Sequence, residues 1–192
     1  MTSRVPTAKR FAAVWAGLVC GLGLALGAAA DQTDPGLDAL FAQLAETVDP
    51  AEVADLENRI QEIWLDSGSD SIAFLMERAR QAMDDERYDE ALVHLDNVVE
   101  LAPKYAEGWN RRATLHYVME RYDQSILDIE RTVALEPRHY AAWSGLGRIF
   151  LDIDDEEDAV KAFEKALTAN PHLDDIKELV ESLKPKVGGR PI

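Results

Sequence analysis

The sequence is poor in cysteine and has no Asn-x-Ser/Thr sequon. Its single cysteine, Cys20, lies inside an apolar run near the N terminus, so disulfides and cysteine nucleophiles are excluded for the rest of the chain. Glycine and proline are also sparse, at 11 and 8 of 192 residues, which excludes a long low-complexity linker. The length suits one domain of ordinary size.

Positive charge is scarce as well. The chain has 20 Lys and Arg against 36 Asp and Glu, so its formal net charge is −16 at pH 7. A field of that sign repels phosphate backbones and anionic lipid heads. We therefore expect no nucleic-acid partner.

Residues 1–30 have the layout of a secretory signal peptide. Arg4, Lys9 and Arg10 precede an apolar run over residues 11–26, and small residues then lead to Asp31. This pattern predicts cleavage after Ala30, no membrane insertion afterwards, and a periplasmic or secreted protein with net charge −19, since the leader holds three basic and no acidic residues. The alternative is an uncleaved signal that anchors the chain in the inner membrane, because sixteen apolar residues approach the length of a span.

The sequence after the leader repeats itself every 34 residues. Five columns agree in position and residue type: Pro103, Pro137 and Pro171; Ala79, Ala113 and Gly147; Ala91, Ser125 and Ala159; Leu95, Ile129 and Phe163; Leu75, Trp109 and Trp143. Such a period is typical of stacked helical hairpins. Small residues let two helices approach closely, and each proline follows a helical run that it cannot continue.

This pattern resembles the tetratricopeptide repeat, in which the fourth place is large and apolar, the eighth and twentieth are small, and the thirty-second is proline. The resemblance implies an all-α fold, an α-α superhelix of three units over residues 72–105, 106–139 and 140–173. The chain departs from the family's pattern at Arg78 and Arg112, where Leu is usual, and at Ala82 and His116, where Tyr is usual. These departures concern the packing of the early helices.

Two flanking segments are also helix-periodic. Residues 31–71 contain two helix starts, Asp34-Pro35 and Asp49-Pro50, and we expect them to form a degenerate N-terminal helical hairpin. Residues 174–192 contain a short amphipathic helix, and we expect a capping helix followed by a frayed tail from Pro185.

No constellation of side chains indicates catalysis or a metal. The four histidines, His94, His116, His139 and His172, lack metal-site spacing, and we interpret them as structural or solvated. The acidic run over residues 152–158 lacks the EF-hand order, because the sixth and twelfth places hold Glu157 and Phe163. We expect a solvated turn between the two helices of the third unit, with weak cation binding left open. No cofactor, metal or catalytic residue is predicted.

In the tetratricopeptide-repeat family the first helices line a concave groove that receives a peptide or helix. The resemblance implies these groove candidates: Met76, Arg80, Met83, Asn110, Thr114, Tyr117, Ser144, Arg148 and Leu151. Arg80, Asn110 and Arg148 would form a donor-rich strip that reads carboxylates or backbone carbonyls. The alternative is that both arginines only pair with neighbouring acids.

The sequence thus favours a protein-protein interaction module that binds a partner's peptide or helix, as an envelope assembly or quality-control factor. The alternative is a structural scaffold that forms homo-oligomers, with Trp64 and the N-terminal hairpin as the contact surface. An enzyme is the remote third hypothesis.

Overall fold

The computed structural model describes residues 35–187, and within that range all regular structure is helical. The helices are α1 Pro35–Glu46, α2 Pro50–Leu65, α3 Asp70–Asp84, α4 Tyr88–Leu101, α5 Ala106–Val118, α6 Tyr122–Leu135, α7 Tyr140–Asp152, α8 Glu156–Ala169 and α9 Asp174–Val187. The predicted signal peptide, its cleavage site and the alternative anchor lie outside the described residues. From residue 35 to residue 187, no helix is long and apolar enough to cross a membrane.

Three helix pairs form the body of the molecule: α3–α4, α5–α6 and α7–α8. Each pair packs on the next, and α9 covers the open side of the last pair through Ile176, Val180 and Leu183. The predicted all-α superhelix is therefore confirmed. Helix α9 continues past Pro185 to Val187, so the tail expected from Pro185 is wrong at its first residues.

Small residues bring the two helices of each pair together. Ala91 and Ala159 are fully buried, and the Ser125 hydroxyl donates to the Ala113 carbonyl oxygen at 2.8 Å. In the third pair the apposed large side chain is Phe163, and the residue facing it is Gly147. Gly147 is the smallest of the three residues at its repeat position, and Phe163 is the largest of the three at the position that faces it.

A tryptophan attaches the second pair, and another the third pair, to the loop before it. The Trp109 indole Nε1 donates to the Pro103 carbonyl oxygen at 3.1 Å, and Trp143 makes the same bond to Pro137 at 2.9 Å. These bonds join the first helix of one unit to the end of the preceding unit. The 34-residue period of the sequence is thus also a period of tertiary contacts.

In the second unit both departures from the repeat pattern lie beside an acidic side chain. Arg112 donates twice to Asp128 and once to Asp96, each at 2.8 Å, and its guanidinium lies 4.9 Å from the centre of the Trp109 ring. His116 lies beside the same Asp128, and burial lowers the pKa of His116 despite that carboxylate. A buried polar cluster therefore occupies the place where apolar side chains are usual.

The turns inside the three pairs have one conformation. Glu86, Glu120 and Asp154, spaced by 34 residues, have φ angles of 59°, 56° and 60°. In the first turn, Glu86 N–H donates to the Met83 carbonyl and Arg87 N–H to the Ala82 carbonyl, the Schellman pattern in which glycine is usual. All three left-handed positions carry an acid instead.

The N-terminal hairpin has its own small core and lies across the loops that join the units. Leu37, Leu44, Leu56 and Ile60 are buried between α1 and α2, and Trp64 stacks on the His139 ring with centroids 4.2 Å apart. We call this hairpin, residues 35–65, the brace.

The brace contacts three successive loops. The Tyr105 hydroxyl donates to the Leu65 carbonyl at 3.0 Å, Arg138 donates to Asp38 at 2.6 Å, and Asn170 donates to Glu57 at 2.6 Å. Trp64 is only 4% exposed, so the structure contradicts its prediction as a surface for self-association.

Candidate binding groove

Two cavities lie side by side on the face formed by α3, α5 and α7. Cavity A, of about 300 Å³, lies between α5 and α7 above Ile129 of α6. Cavity B, of about 410 Å³, lies between α3 and α5 above Leu95 of α4. Helix α5 separates them, so together they form one groove across the first helices of the three units.

Cavity A exists because α7 presents small side chains towards α5. Ala141, Ser144 and Gly145 line one wall, and Ile129 and Ile149 line the floor. A Cβ atom built on Gly145 would have Ile129 Cδ1 as its nearest neighbour, at 3.8 Å, which is an ordinary contact. A Cβ at 145 is therefore accommodated without displacing the core, and a longer side chain there would take up space at the wall of the cavity.

Cavity B is lined by flexible apolar side chains with charged groups among them. Met76 and Met83 of α3 lie opposite Tyr105, and Leu65 of the brace contributes part of the wall. Methionine adapts its shape to irregular ligands. The charged lining residues are Glu77, Arg80, Asp84 and Arg111.

The structure brings eight of the nine predicted groove residues to these cavities. Asn110, Thr114, Tyr117, Ser144 and Arg148 line cavity A, and Met76, Arg80 and Met83 line cavity B. Leu151 lines neither cavity and packs against the cluster formed by α8 and α9. Its register on α7 predicted a position facing the groove, but it packs against an apolar cluster that the repeat helix α8 and the capping helix α9 form together.

The two arginines of the predicted donor strip are both ion-paired. Arg80 donates to both carboxylate oxygens of Glu77 at 2.8 Å and to Asp84 at 2.5 Å. The Arg80 hydrogen bond lowers the pKa of Glu77 to about 2. Arg148 donates to Asp175 of α9 at 3.0 Å. Pairing with neighbouring acids, the alternative from the sequence, describes both contacts.

The burial of one carboxylate beneath the groove, that of Glu107, was not predicted from the sequence. Glu107, 5% exposed, accepts from Asn110 Nδ2 at 2.9 Å and from Arg111 Nε at 2.5 Å. Asn110 lines cavity A and Arg111 lines cavity B, so Glu107 orients the polar ridge between the cavities. The signal in the sequence was a Glu at a helical position where the adjoining units have Ala73 and Ala141.

His139 completes this network and connects it to the brace. Its Nδ1 accepts from Ala142 N–H at 3.2 Å, so its Nε2–H donates to Glu107 at 3.1 Å. Burial raises the pKa of Glu107, but the hydrogen bond from His139 and the positive charge of Arg111 outweigh it and lower that pKa below the usual range. The network runs from Trp64 through His139 and Glu107 to the groove.

The two other histidines singled out in the sequence, and the acidic run over residues 152–158, lie in contacts that belong to the fold. His172 Nε2 lies 2.7 Å from the Leu44 carbonyl oxygen, and His94 is half-buried beside Glu90. The acidic run forms the predicted turn: Asp152 ends α7, and Asp155 caps α8 by accepting from Asp158 N–H at 3.1 Å. Among residues 35–187, no group of three potential metal ligands occurs.

Comparison with known proteins identifies the repeat. Residues 110–174 match the family model for the tetratricopeptide repeat. A TPR repeat-containing protein of Rhizobium etli is 40% identical over 153 residues, which cover 80% of this chain and 75% of the relative.

Solved structures with the same fold are more distant in sequence. The first TPR domain of Spaghetti (RPAP3), bound to an HSP90 peptide, has a TM-score of 0.59 at 19% identity and covers 63% of this chain and 96% of its own. The Yersinia enterocolitica type III secretion chaperone SycD, in complex with a peptide of the translocator YopD, also has a TM-score of 0.59, at 14% identity, with coverage of 62% and 95%.

MamA has a TM-score of 0.57 at 17% identity and covers 74% of this chain and 86% of its own. At these identities the solved structures show a common fold and no more. The Rhizobium relative, in contrast, aligns with this chain over most of the length of both sequences. The chain belongs to the tetratricopeptide-repeat family.

Proposed function

We propose that this chain is a non-catalytic interaction module that binds an extended segment of a partner protein in the groove of α3, α5 and α7. The observation that carries the proposal is the pair of cavities, which have apolar floors and polar rims on adjacent faces of α5. Each cavity has room for one or two side chains, and together they suit a peptide better than a compact small molecule.

Two structures of similar fold support this proposal, since their chains hold peptides of HSP90 and of YopD. The proposal also includes a place of action. The signal-like leader over residues 1–30 supports export, and we propose a periplasmic or secreted protein that assists envelope assembly or quality control.

Plugging cavity A tests the proposed binding mode. The exported chain and its Gly145→Leu variant are used to capture proteins from envelope extracts, and bound proteins are compared by mass spectrometry. Ala134→Leu is the matched control, because Ala134 is exposed on α6 away from the groove. We expect partners to be lost with Gly145→Leu and kept with Ala134→Leu. Capture of the same proteins in equal amounts by all three chains would exclude the groove as the binding site.

A second candidate function, self-association, has one observation in its favour. Phe74 is 64% exposed, and its equivalents at the 34-residue period, Gly108 and Ala142, are buried in their units. Phe74 therefore lies on the open first face of the solenoid. Sedimentation of the full chain and of Phe74→Ser at tens of micromolar separates the two functions, because a scaffold would dissociate on this substitution and a monomer would be unaffected.

A further inference from the structure

We infer that the groove selects segments in which an apolar side chain is accompanied by hydrogen-bond donors, including a lysine or arginine, and not by acidic residues. This inference rests on the proposed function, because it names the chemistry of the segment that the groove would bind. The occupant is an extended segment of another protein. Its apolar side chain enters cavity A, and its basic side chain reaches the acids at the edge of the groove.

The first reason is the direction of the hydrogen bonds around cavity A. The Thr114 hydroxyl donates to the Asn110 carbonyl oxygen at 3.0 Å, and the Tyr117 hydroxyl donates to Asp152 at 2.8 Å. Both oxygens have thus used their only proton and keep lone pairs. Because Asn110 Nδ2 donates to Glu107, its amide oxygen is also left to accept. The α5 wall therefore offers three acceptors to backbone N–H or cationic groups.

The second reason is that the cations near the groove are already neutralised. Arg80 is held by Glu77 and Asp84, Arg111 by the buried Glu107, and Arg148 by Asp175. The positive charge that a partner carboxylate would meet is therefore already offset by at least one acid of this chain. The donor-rich strip predicted from the sequence thus carries little net positive charge in the folded chain.

The third reason is the charge at the edge formed by the turns within the pairs. We call this the acidic edge: Asp84, Glu86, Glu120, Asp152 and Asp154, all exposed. Helices α3, α5 and α7 end here, and the C-terminal end of a helix is itself negative. Over the described residues, Glu86, Glu120 and Asp154 form no ion pair. A basic side chain at this edge would meet complementary charge in a chain of net charge −16.

A displayed library of random nine-residue peptides tests the inference without assuming a natural partner. The purified full chain is the bait, and the recovered peptides are synthesised and their affinities measured by fluorescence anisotropy at 50 and 500 mM NaCl. We expect enrichment of an apolar residue with a neighbouring lysine or arginine. Gly145→Leu should weaken binding by about tenfold or more, because one buried apolar side chain is lost. Ser144→Leu, at the same wall, is the second plugging variant, and helical circular dichroism verifies that each variant is folded.

The charge requirement has its own variants. Glu120→Gln/Asp154→Asn removes two unpaired acids beside cavity A, and Glu100→Gln/Glu130→Gln makes the same change in net charge on the outer helices α4 and α6. We expect about fivefold weaker binding for the first pair at 50 mM NaCl, little difference at 500 mM, and no change for the second pair.

The outcomes separate this inference from the proposed function. Enrichment of acidic or uncharged peptides that Gly145→Leu no longer binds would overturn the inference and keep the groove as a binding site. Equal weakening by both charge variants would also overturn it, because attraction would then be to net charge alone. Peptides that bind both plugged variants normally, or an absence of binders, would overturn the inference, and the envelope capture with Gly145→Leu then decides independently whether the groove binds a partner.

Discussion

Replacing either of two glycines on one helix with alanine should change the stability of the protein in opposite directions. Gly145 and Gly147 both lie inside α7, so replacing either with Ala gains about 1 kcal/mol of helix propensity. At Gly145 the added Cβ has its nearest neighbour at 3.8 Å. At Gly147 it would lie 2.4, 2.5 and 2.7 Å from three carbons of the Phe163 ring.

The ring has no free space to move into. Phe163 is fully buried among Val160, Ile176 and Val180, and contacts between carbon atoms are favourable only at about 3.5–4.0 Å. Overpacking of this kind costs about 1–3 kcal/mol. Since the propensity gain is common to both sites, Gly147→Ala should be less stable than Gly145→Ala by about 1–3 kcal/mol.

Urea unfolding followed by circular dichroism at 222 nm measures both free energies. The double variant Gly147→Ala/Phe163→Leu recreates the Ala79 and Leu95 pair of the first unit. Its loss of stability should be at least about 1 kcal/mol smaller than the sum of the two single losses. Equal stability of the two alanine variants, or strictly additive losses, would refute the assigned contact.

Three further predictions concern the turns, the buried carboxylate and the brace. Glu120→Gly should raise the free energy of unfolding by about 1 kcal/mol in urea titrations, because glycine adopts the left-handed turn without strain; a lower value would contradict the turn conformation. The folded-state pKa of Glu107 is lowered, so its stabilisation is present above the unfolded pKa and is lost as pH falls through the folded value. Glu107→Gln should therefore show a smaller drop in urea midpoint between pH 7 and pH 3.5 than the unchanged chain, and an equal drop would exclude this role. Trp64→Ala should cost about 3–5 kcal/mol by the same titration, whereas Val48→Ala, at a side chain 91% exposed, should cost almost nothing; similar losses would contradict burial of Trp64 between the brace and His139.

The fold could be predicted because its determinants recur in the sequence. A small residue every 34 positions, followed by a large apolar one, specifies which faces of two helices meet. The groove residues followed from the same register, which assigns each place of a first helix to a face. Leu151 shows the limit of that register, since it packs against a cluster to which the non-repeating helix α9 contributes.

The hairpin itself was predicted, but its contacts with the loops and the network beneath the groove could not be predicted, since neither is periodic. Trp64 and His139 are 75 positions apart, and no repeat column relates a residue of α2 to a loop. The partners of Arg80 lie three and four residues away on α3, as a helical register allows, whereas Asp175, the partner of Arg148, comes from α9, which the register of the repeats does not specify. Whether a hydroxyl is left as a donor or as an acceptor likewise depends on the partner that it contacts in the folded chain.

The length of the brace matches the distance over which the three loops of the solenoid extend. Helix α2, with 16 residues, is about 24 Å long, and three loops on helices packed about 8–10 Å apart extend over roughly 20 Å. Both helices of the brace are bonded to the loops: Tyr105 bonds to Leu65 of α2, and Arg138 and His172 bond to Asp38 and Leu44 of α1. Most solenoids can gain or lose a unit at little penalty, because each unit contacts only its neighbours. Here a fourth unit would extend beyond the end of the brace. The number of units and the length of the N-terminal hairpin are therefore expected to change together.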